Sequence, residues 1–325
     1  MKALLCTAHG DPEDLVLSDL PDPEPGPGDA VVRIAAAGVN YPDTLTIRDM
    51  YQFKPELPFA PGGEASGVVT AVGDGVDLPV GTRVVAFLGS SGGFAEQAVL
   101  PASRCIPIPD EMPLDVAAAF VFAHSTSQHA LVQRADPKPG ETLLVLGASG
   151  GVGLAAVEIG KVLGLRVVAA ASTDEKLEVC RDRGADETIN YSTEDLKGRM
   201  KELGGADIVY DPVGGDYAEQ ALRSINWLGR YLVVGFPAGI PSFPANLPLL
   251  KGCDIRGVFW GRFTELQPAD NMANLAQLTQ WYLAGKVAPH ISARYPLERG
   301  GEAIRAMMDR TAVGKLLVEV DPSQY

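Results

Sequence analysis

Short apolar runs separated by glycine and proline fill the first third of the chain. A run over 15–20 leads into the turn-rich stretch Pro21-Asp22-Pro23-Glu24-Pro25-Gly26-Pro27-Gly28-Asp29, and strands are expected over 30–39, 66–73 and 83–87. Runs bounded in this way read as strands, and such close spacing suits a partly open barrel rather than a βαβ layer. The pattern changes near Pro113. An alanine-rich stretch over 114–131 is helical in character, and Pro137-Lys138-Pro139-Gly140 makes a turn. From residue 141 strands (142–146, 166–171, 206–210, 231–234) alternate with helices (152–163, 174–183, 217–224). That alternation implies a parallel, doubly wound sheet. Two helices, 269–284 and 300–310, and a strand over 315–320 close the chain, so the α/β layer is inserted between two parts of a mainly β unit.

At roughly 150 residues per domain, 325 residues suggest two domains. A content of 46% hydrophobic and 21% charged residues is that of an ordinary globular chain, so disorder is excluded. The net charge of -14 argues against nucleic acid and anionic membranes as partners. No apolar run reaches transmembrane length, and Asp11 and Pro12 interrupt the N-terminal stretch before it could serve as a signal core, so a cytoplasmic location is expected. Cys6, Cys105, Cys180 and Cys253 lie far apart, without a CxxC pair or a Cys/His cluster, and read as free thiols in a reducing compartment.

One segment carries recognisable chemistry. The strand over 143–146 feeds Gly147-Ala148-Ser149-Gly150-Gly151-Val152-Gly153, a helix leaves it, and a second strand ends about 20 residues later. Glycines at 147, 150 and 153 let the backbone turn tightly and approach a pyrophosphate, and the helix N-terminus offers that anion free N–H groups and a positive dipole end. The second strand ends Ala169-Ala170-Ala171-Ser172-Thr173. An NAD-selective sheet carries an acid there to bond the ribose 2′-hydroxyl, and an acid would repel a 2′-phosphate. Ser172, Lys176 and Tyr191 instead offer hydroxyls and one cation, which suit a phosphate and favour NADPH. Asp174 is acidic and close by, and is expected to N-cap the helix that carries Lys176.

With these blocks in place the sequence resembles the zinc-independent quinone oxidoreductase (zeta-crystallin-like) branch of the medium-chain dehydrogenase/reductase superfamily over essentially its whole length. The resemblance rests on Gly38-Val39-Asn40-Tyr41-Pro42-Asp43, Pro61-Gly62-Gly63-Glu64-Ala65-Ser66-Gly67, 147–153 and Asn246-Leu247-Pro248-Leu249-Leu250-Lys251. It implies a GroES-like, mainly β catalytic domain (1–121 and 261–325) around a Rossmann NADPH-binding domain (122–260), with the active site in the cleft between them. It also implies a homodimer joined at the Rossmann sheet edge, near 254–259. By position, the family's pyrophosphate contacts fall on Ser149, Gly150, Gly151 and Val152, and its 2′-phosphate contacts on Ser172, Lys176, Tyr191 and Arg310. The nicotinamide-flanking segment falls on Gly235, Phe236 and Pro237 with Lys251 nearby, and Thr126 matches a threonine that faces the cofactor. Gln128 departs from an aromatic common just after that threonine, which is expected to alter a pocket edge. Zinc-dependent relatives place ligands where this chain has Asn40, Gly63 and Phe122, so no metal is expected.

Without a Lewis acid to polarise the substrate oxygen, acceptors that take hydride readily are expected: quinones or α,β-unsaturated carbonyls. Related enoyl reductases carry a tyrosine at the position of Tyr51, which makes it the candidate proton donor, and Asn40 is the candidate for orienting substrate or cofactor. Tyr51 packing as a loop aromatic, and Asn40 capping local backbone, are the alternatives. Phe259 and Trp260 could line an apolar pocket or belong to the core. Two other functions fit the same motifs: an enoyl-CoA or acryloyl-CoA reductase, and a non-catalytic NADPH-binding protein of the crystallin kind.

Overall fold

A computed structural model describes residues 1–325, and the chain divides into two compact units, Met1–Val121 with His290–Tyr325, and Phe122–Pro289. The first unit begins with strands β1 (Lys2–Leu5), β2 (Val16–Asp19) and the eleven-residue β3 (Asp29–Val39). Helix α1 (Tyr41–Thr46) precedes β4 (Glu64–Val72), β5 (Arg83–Phe87), β6 (Gln97–Pro101) and β7 (Cys105–Pro107). Helix α2 (Leu114–Gln128) leads out of this unit and continues as a π-helical stretch, His129–Ala135.

The second unit alternates as its apolar pattern requires. It runs β8 (Thr142–Leu146), α3 (Gly151–Val162), β9 (Arg166–Ala171), α4 (Asp174–Asp182), β10 (Glu187–Asn190) and α5 (Leu196–Glu202). It continues through β11 (Ala206–Asp211), α6 (Tyr217–Ser224), β12 (Ile225–Val233), α7 (Asn246–Lys251), β13 (Asp254–Gly257), α8 (Trp260–Leu266) and α9 (Pro268–Leu283). Its strands form one parallel sheet in the order β10-β9-β8-β11-β12-β13. Leu144, Leu146, Val168, Val209 and Tyr231 are buried between this sheet and its helices. Consecutive apolar residues, rather than alternating ones, are what a sheet covered on both faces demands. No helix is long and apolar enough to cross a membrane.

The chain returns to the first unit with β14 (Ile291–Pro296), α10 (Gly300–Met308) and β15 (Lys315–Glu319). The main sheet there has the order β14-β15-β3-β4-β5-β7, with β6 also paired to β3. β15 enters antiparallel to β3, so the last strand of the chain completes a sheet begun by the first hundred residues. This return comes at His290, later than the 261 expected from sequence. The reason is side-chain packing: α8 and α9 belong to the nucleotide unit. Trp260 lies edge-on to Phe122 at 5.7 Å, and its indole N–H donates to Asn271 Oδ1 at 3.0 Å. Phe263 stacks on His129 at 4.1 Å, and Gln133 and Asn274 exchange hydrogen bonds of 2.9 and 3.1 Å.

Candidate functional site

In a parallel α/β sheet, ligands bind beyond the C-terminal ends of the strands, where the strand order reverses. Here the reversal lies between β8 and β11. Gly147 follows β8 directly and Pro212-Val213-Gly214 follows β11, so the glycine turn sits on the switch point. Gly147 has φ +54, a left-handed conformation that favours glycine. A Cβ on Gly153 would collide with the Gly147 carbonyl oxygen and stand 2.8 Å from the carbonyl carbon of Ala148, so this glycine is required by helix–turn packing. Gly150 differs. Its φ is -76 and the nearest atom to a Cβ there is Gly147 O at 3.4 Å, so the fold itself has room for a side chain. The open face of Gly150, beside the free N–H groups of α3, fits the approach of a pyrophosphate.

Three contacts hold this turn. The Ala148 N–H donates to Ala170 O at 3.0 Å, tying the turn to the end of β9. Ser127 Oγ donates to Val152 O at 2.8 Å and shares a 2.9 Å hydrogen bond with Tyr210 Oη, so α2 pins the first turn of α3. Thr126, next to Ser127, is buried on the same helix, as is Ser149 in the turn. Asp211, absent from the sequence reading, organises the neighbouring loop. Its Oδ1 accepts the N–H groups of Val213 and Gly214, both at 2.8 Å, and its Oδ2 accepts the Tyr231 hydroxyl at 2.6 Å. Burial raises its carboxyl pKa above the ordinary range, and those hydrogen bonds oppose the shift. The only signal in sequence was an acid ending a strand just before Pro-Val-Gly-Gly.

Ser172, Lys176 and Tyr191 gather beyond the ends of β9 and β10. Lys176 Nζ lies 3.4 Å from Ser172 Oγ, and the Tyr191 ring lies 4.3 Å from that of Tyr217 on α6. The α4 N-cap is Thr173, whose hydroxyl accepts the Lys176 N–H at 3.3 Å, and not Asp174 as expected. Asp174 is the first helical residue, and its Oδ1 accepts from Asn190 Nδ2 at 2.9 Å. Gly235, Phe236 and Pro237 follow β12 on the same sheet edge, with the Phe236 side chain half-exposed. Arg310 belongs to the first unit, where it takes the left-handed position (φ 56) just past α10.

Two carried-over expectations are corrected in this unit. Lys251 does not approach the nicotinamide segment. It ends α7, which runs antiparallel to the strands, and its Nζ donates to Ile225 O at 2.7 Å, at the start of β12 and thus the opposite edge of the sheet. Gln128 is no pocket edge: it is fully buried and its Nε2 donates to Gln277 Oε1 of α9 at 2.9 Å. Of the two aromatics weighed for a pocket, Trp260 is core and Phe259 is exposed.

The first unit contains a buried ionic cluster. Lys315 Nζ donates to Asn40 Oδ1 (2.7 Å), Val39 O (3.2 Å) and Glu64 Oε2 (3.3 Å), which matches the three N–H bonds of an ammonium. The Asn40 amide donates to Glu64 Oε2 at 3.2 Å and Gly38 O at 3.3 Å. Both amide hydrogens and the carbonyl oxygen are therefore engaged in this cluster, and Asn40 is also the N-cap residue of α1, the local backbone role weighed for it from sequence. Asp43 Oδ2 accepts the Asn40 N–H at 2.7 Å, and burial raises its pKa to about 6. Tyr51 lies half-buried near an exposed turn, edge-on to Phe53 at 5.8 Å. Burial, and then the charge of Asp43, raise its phenol pKa. Asn40, Gly63 and Phe122 supply none of the Cys, His or carboxylate groups that bind zinc, and no three His, Cys, Asp or Glu side chains converge on a point where they could hold a metal.

A glycine turn at the switch point of a parallel sheet, inserted into a β unit closed by both ends of the chain, defines a dinucleotide-dependent oxidoreductase of two domains. Residues 26–110 match the alcohol dehydrogenase GroES-like domain and residues 151–277 the zinc-binding dehydrogenase family. A quinone oxidoreductase-like protein 2 homolog from Nematostella vectensis is 37% identical, over 98% of this chain and 88% of its own. The quinone oxidoreductase of Escherichia coli, solved in complex with NADPH, superposes with a TM-score of 0.92 at 26% identity, covering 98% of this chain and 100% of its own. That of Thermus thermophilus, also solved with NADPH, has a TM-score of 0.87 at 33% identity, with 98% and 100% covered. This chain belongs to the quinone oxidoreductase branch of the medium-chain dehydrogenase/reductase superfamily.

Proposed function

We propose that the protein is an NADPH-dependent reductase that delivers hydride to a quinone or another α,β-unsaturated carbonyl. The observation that carries this reading is the make-up of one sheet edge. It combines a glycine turn with Ser172 and Lys176 at the strand end where an NAD-selective sheet places an acid. Ser149 to Val152 hold the pyrophosphate at the α3 N-terminus, while Ser172, Lys176, Tyr191 and Arg310 receive the 2′-phosphate. Thr126 and Gly235 to Pro237 flank the nicotinamide. Bound there, NADPH supplies the hydride. Tyr51 donates its proton, directly or as a hydrogen bond, to the oxygen on which negative charge develops, and the Lys315–Glu64–Asn40 cluster ties the end of β3 to β4 and β15. Conjugated acceptors suit this arrangement because their charge spreads onto an oxygen that one donor can stabilise.

The same reading includes a homodimer paired along β13, one of the two edge strands of the parallel sheet, where Trp227, Leu228, Leu249, Leu250 and Ile255 are exposed. Four buried free thiols fit a reducing compartment, and we place the protein in the cytoplasm.

The deciding experiment follows NADPH oxidation with quinones, enones and enoyl-CoA esters as acceptors. Turnover of quinones or enones is expected. Faster turnover of the CoA esters would make the protein an enoyl-thioester reductase, and binding of NADPH with no turnover of any acceptor would make it a non-catalytic binder. Tyr51→Phe is expected to lower kcat roughly 100-fold, the scale of a lost general acid. Unchanged turnover would leave Tyr51 as a packing partner of Phe53.

A further inference from the structure

Asp174 poses a conflict of charge. In the first turn of α4 its carboxylate favours the positive helix end. Three residues beyond β9, the same carboxylate opposes a 2′-phosphate. The carboxyl of Glu175, the other acid of that turn, is held below its ordinary range by its own backbone N–H and then by the Thr173 hydroxyl. Asp174 is held from the neighbouring strand. Asn190 ends β10, pairs in register with Ala171, and donates from Nδ2 to Asp174 Oδ1 at 2.9 Å. Asn190 is itself 7% exposed and anchored at its other polar groups. Its N–H donates to Glu194 Oε1 at 2.7 Å, and its Oδ1 accepts the Ser192 N–H at 3.2 Å. A buried amide fixed in this way cannot follow Asp174 if the acid swings outward. Lys176 meanwhile extends its ammonium toward Ser172.

We propose that Asn190 is a cofactor-selectivity residue: it draws the Asp174 carboxylate against β10, which leaves Ser172 and Lys176 to meet the 2′-phosphate. The proposal rests on the NADPH reading above. Asn190 acts through Asp174 and is a positioning residue. It lets α4 keep an acid at its start without turning the site toward NADH.

The test is a double-mutant cycle read as dissociation constants for NADPH and NADH, measured by nucleotide fluorescence. Asn190→Ala is expected to weaken NADPH roughly 10-fold through the released charge, with NADH changed less than about 2-fold. Asp174→Ala is expected to leave both cofactors within about 2-fold, and in the Asn190→Ala background to restore NADPH to that level. Asn190→Ser keeps an oxygen for the Ser192 N–H but is too short for Asp174, and repeats the comparison with the loop preserved should the alanine variant fail to fold. Equal weakening of both cofactors, or no recovery in the double variant, would overturn the proposal. A wild-type protein with no preference for NADPH would refute the cofactor reading itself, and the selectivity role with it.

Discussion

Asp43, Glu64 and Lys315 are the buried charged residues of the first unit, and they answer to different physics. Glu64 and Lys315 form a buried ion pair at 3.3 Å, and removing either would strip the other of that opposite charge. Asp43 has a pKa raised from 3.8 to about 6, so the folded protein holds a proton there that the unfolded chain releases. Its contribution is fully present below pH 3.8 and is lost as pH rises through 6, which makes stability fall across that window. Asp43→Asn removes this dependence. Its stability relative to wild type, from denaturant melts at several pH values, should therefore improve by about 3 kcal/mol between pH 3.5 and 7. A constant difference would mean that Asp43 titrates normally. Lys176→Ala should weaken NADPH by roughly 10- to 100-fold while NADH changes little, because only NADPH carries the phosphate that a charge-assisted bond would hold. Equal loss for both cofactors would remove Lys176 from the 2′-phosphate site. The closeness of Lys176 to Ser172 was legible because both lie within five residues of the end of one strand. The ionic partner of Asn40 was not legible, because Lys315 lies 275 positions away.

Among the elements, the turn between β8 and α3 separates what folding needs from what a ligand needs. Gly153→Ala places a Cβ against the Gly147 carbonyl and should cost about 1–3 kcal/mol of stability, read in a thermal melt. Gly150→Ala meets nothing closer than 3.4 Å and should melt like wild type, yet lose NADPH affinity through obstruction of the pyrophosphate. A Gly150→Ala protein that binds NADPH normally would place the pyrophosphate elsewhere. The strands over 142–146 and 166–171 were legible to the residue, since a short buried run ended by glycine or serine leaves little choice. β10 escaped the reading as a clear strand, being four residues, too short for a period to show, whereas β13 falls within the edge strand expected near 254–259. Lys251 was misplaced for a further reason: a motif fixes neither the length nor the direction of its helix, and α7 carries that side chain back across the sheet.

At the scale of the molecule, β13 presents unpaired backbone groups beside exposed Ile255, and natural edge strands are blunted unless they pair. Ile255→Lys should convert the proposed dimer to monomers in sedimentation velocity while leaving NADPH binding intact. A monomeric wild type, or a variant that still dimerises, would exclude this edge as the interface. The division of the chain was only partly legible. A boundary at 261 followed from the end of the strand–helix alternation, but α8 and α9 stay with the nucleotide unit because Trp260, Phe263 and Asn274 pack there. By itself the sequence determined the two-domain class, the parallel sheet, the glycine turn and the absence of an acid at the end of β9, since each depends on neighbours within one turn or one strand. Tertiary structure alone decided which groups are already engaged. Asn40 is bound into an ionic cluster, Asp174 is held by Asn190, Gln128 is buried against Gln277, and Asp211 is bonded to Tyr231. Each of those pairings joins different elements, and hydrogen-bond partners of that kind are set by how strands and helices pack rather than by spacing along the chain.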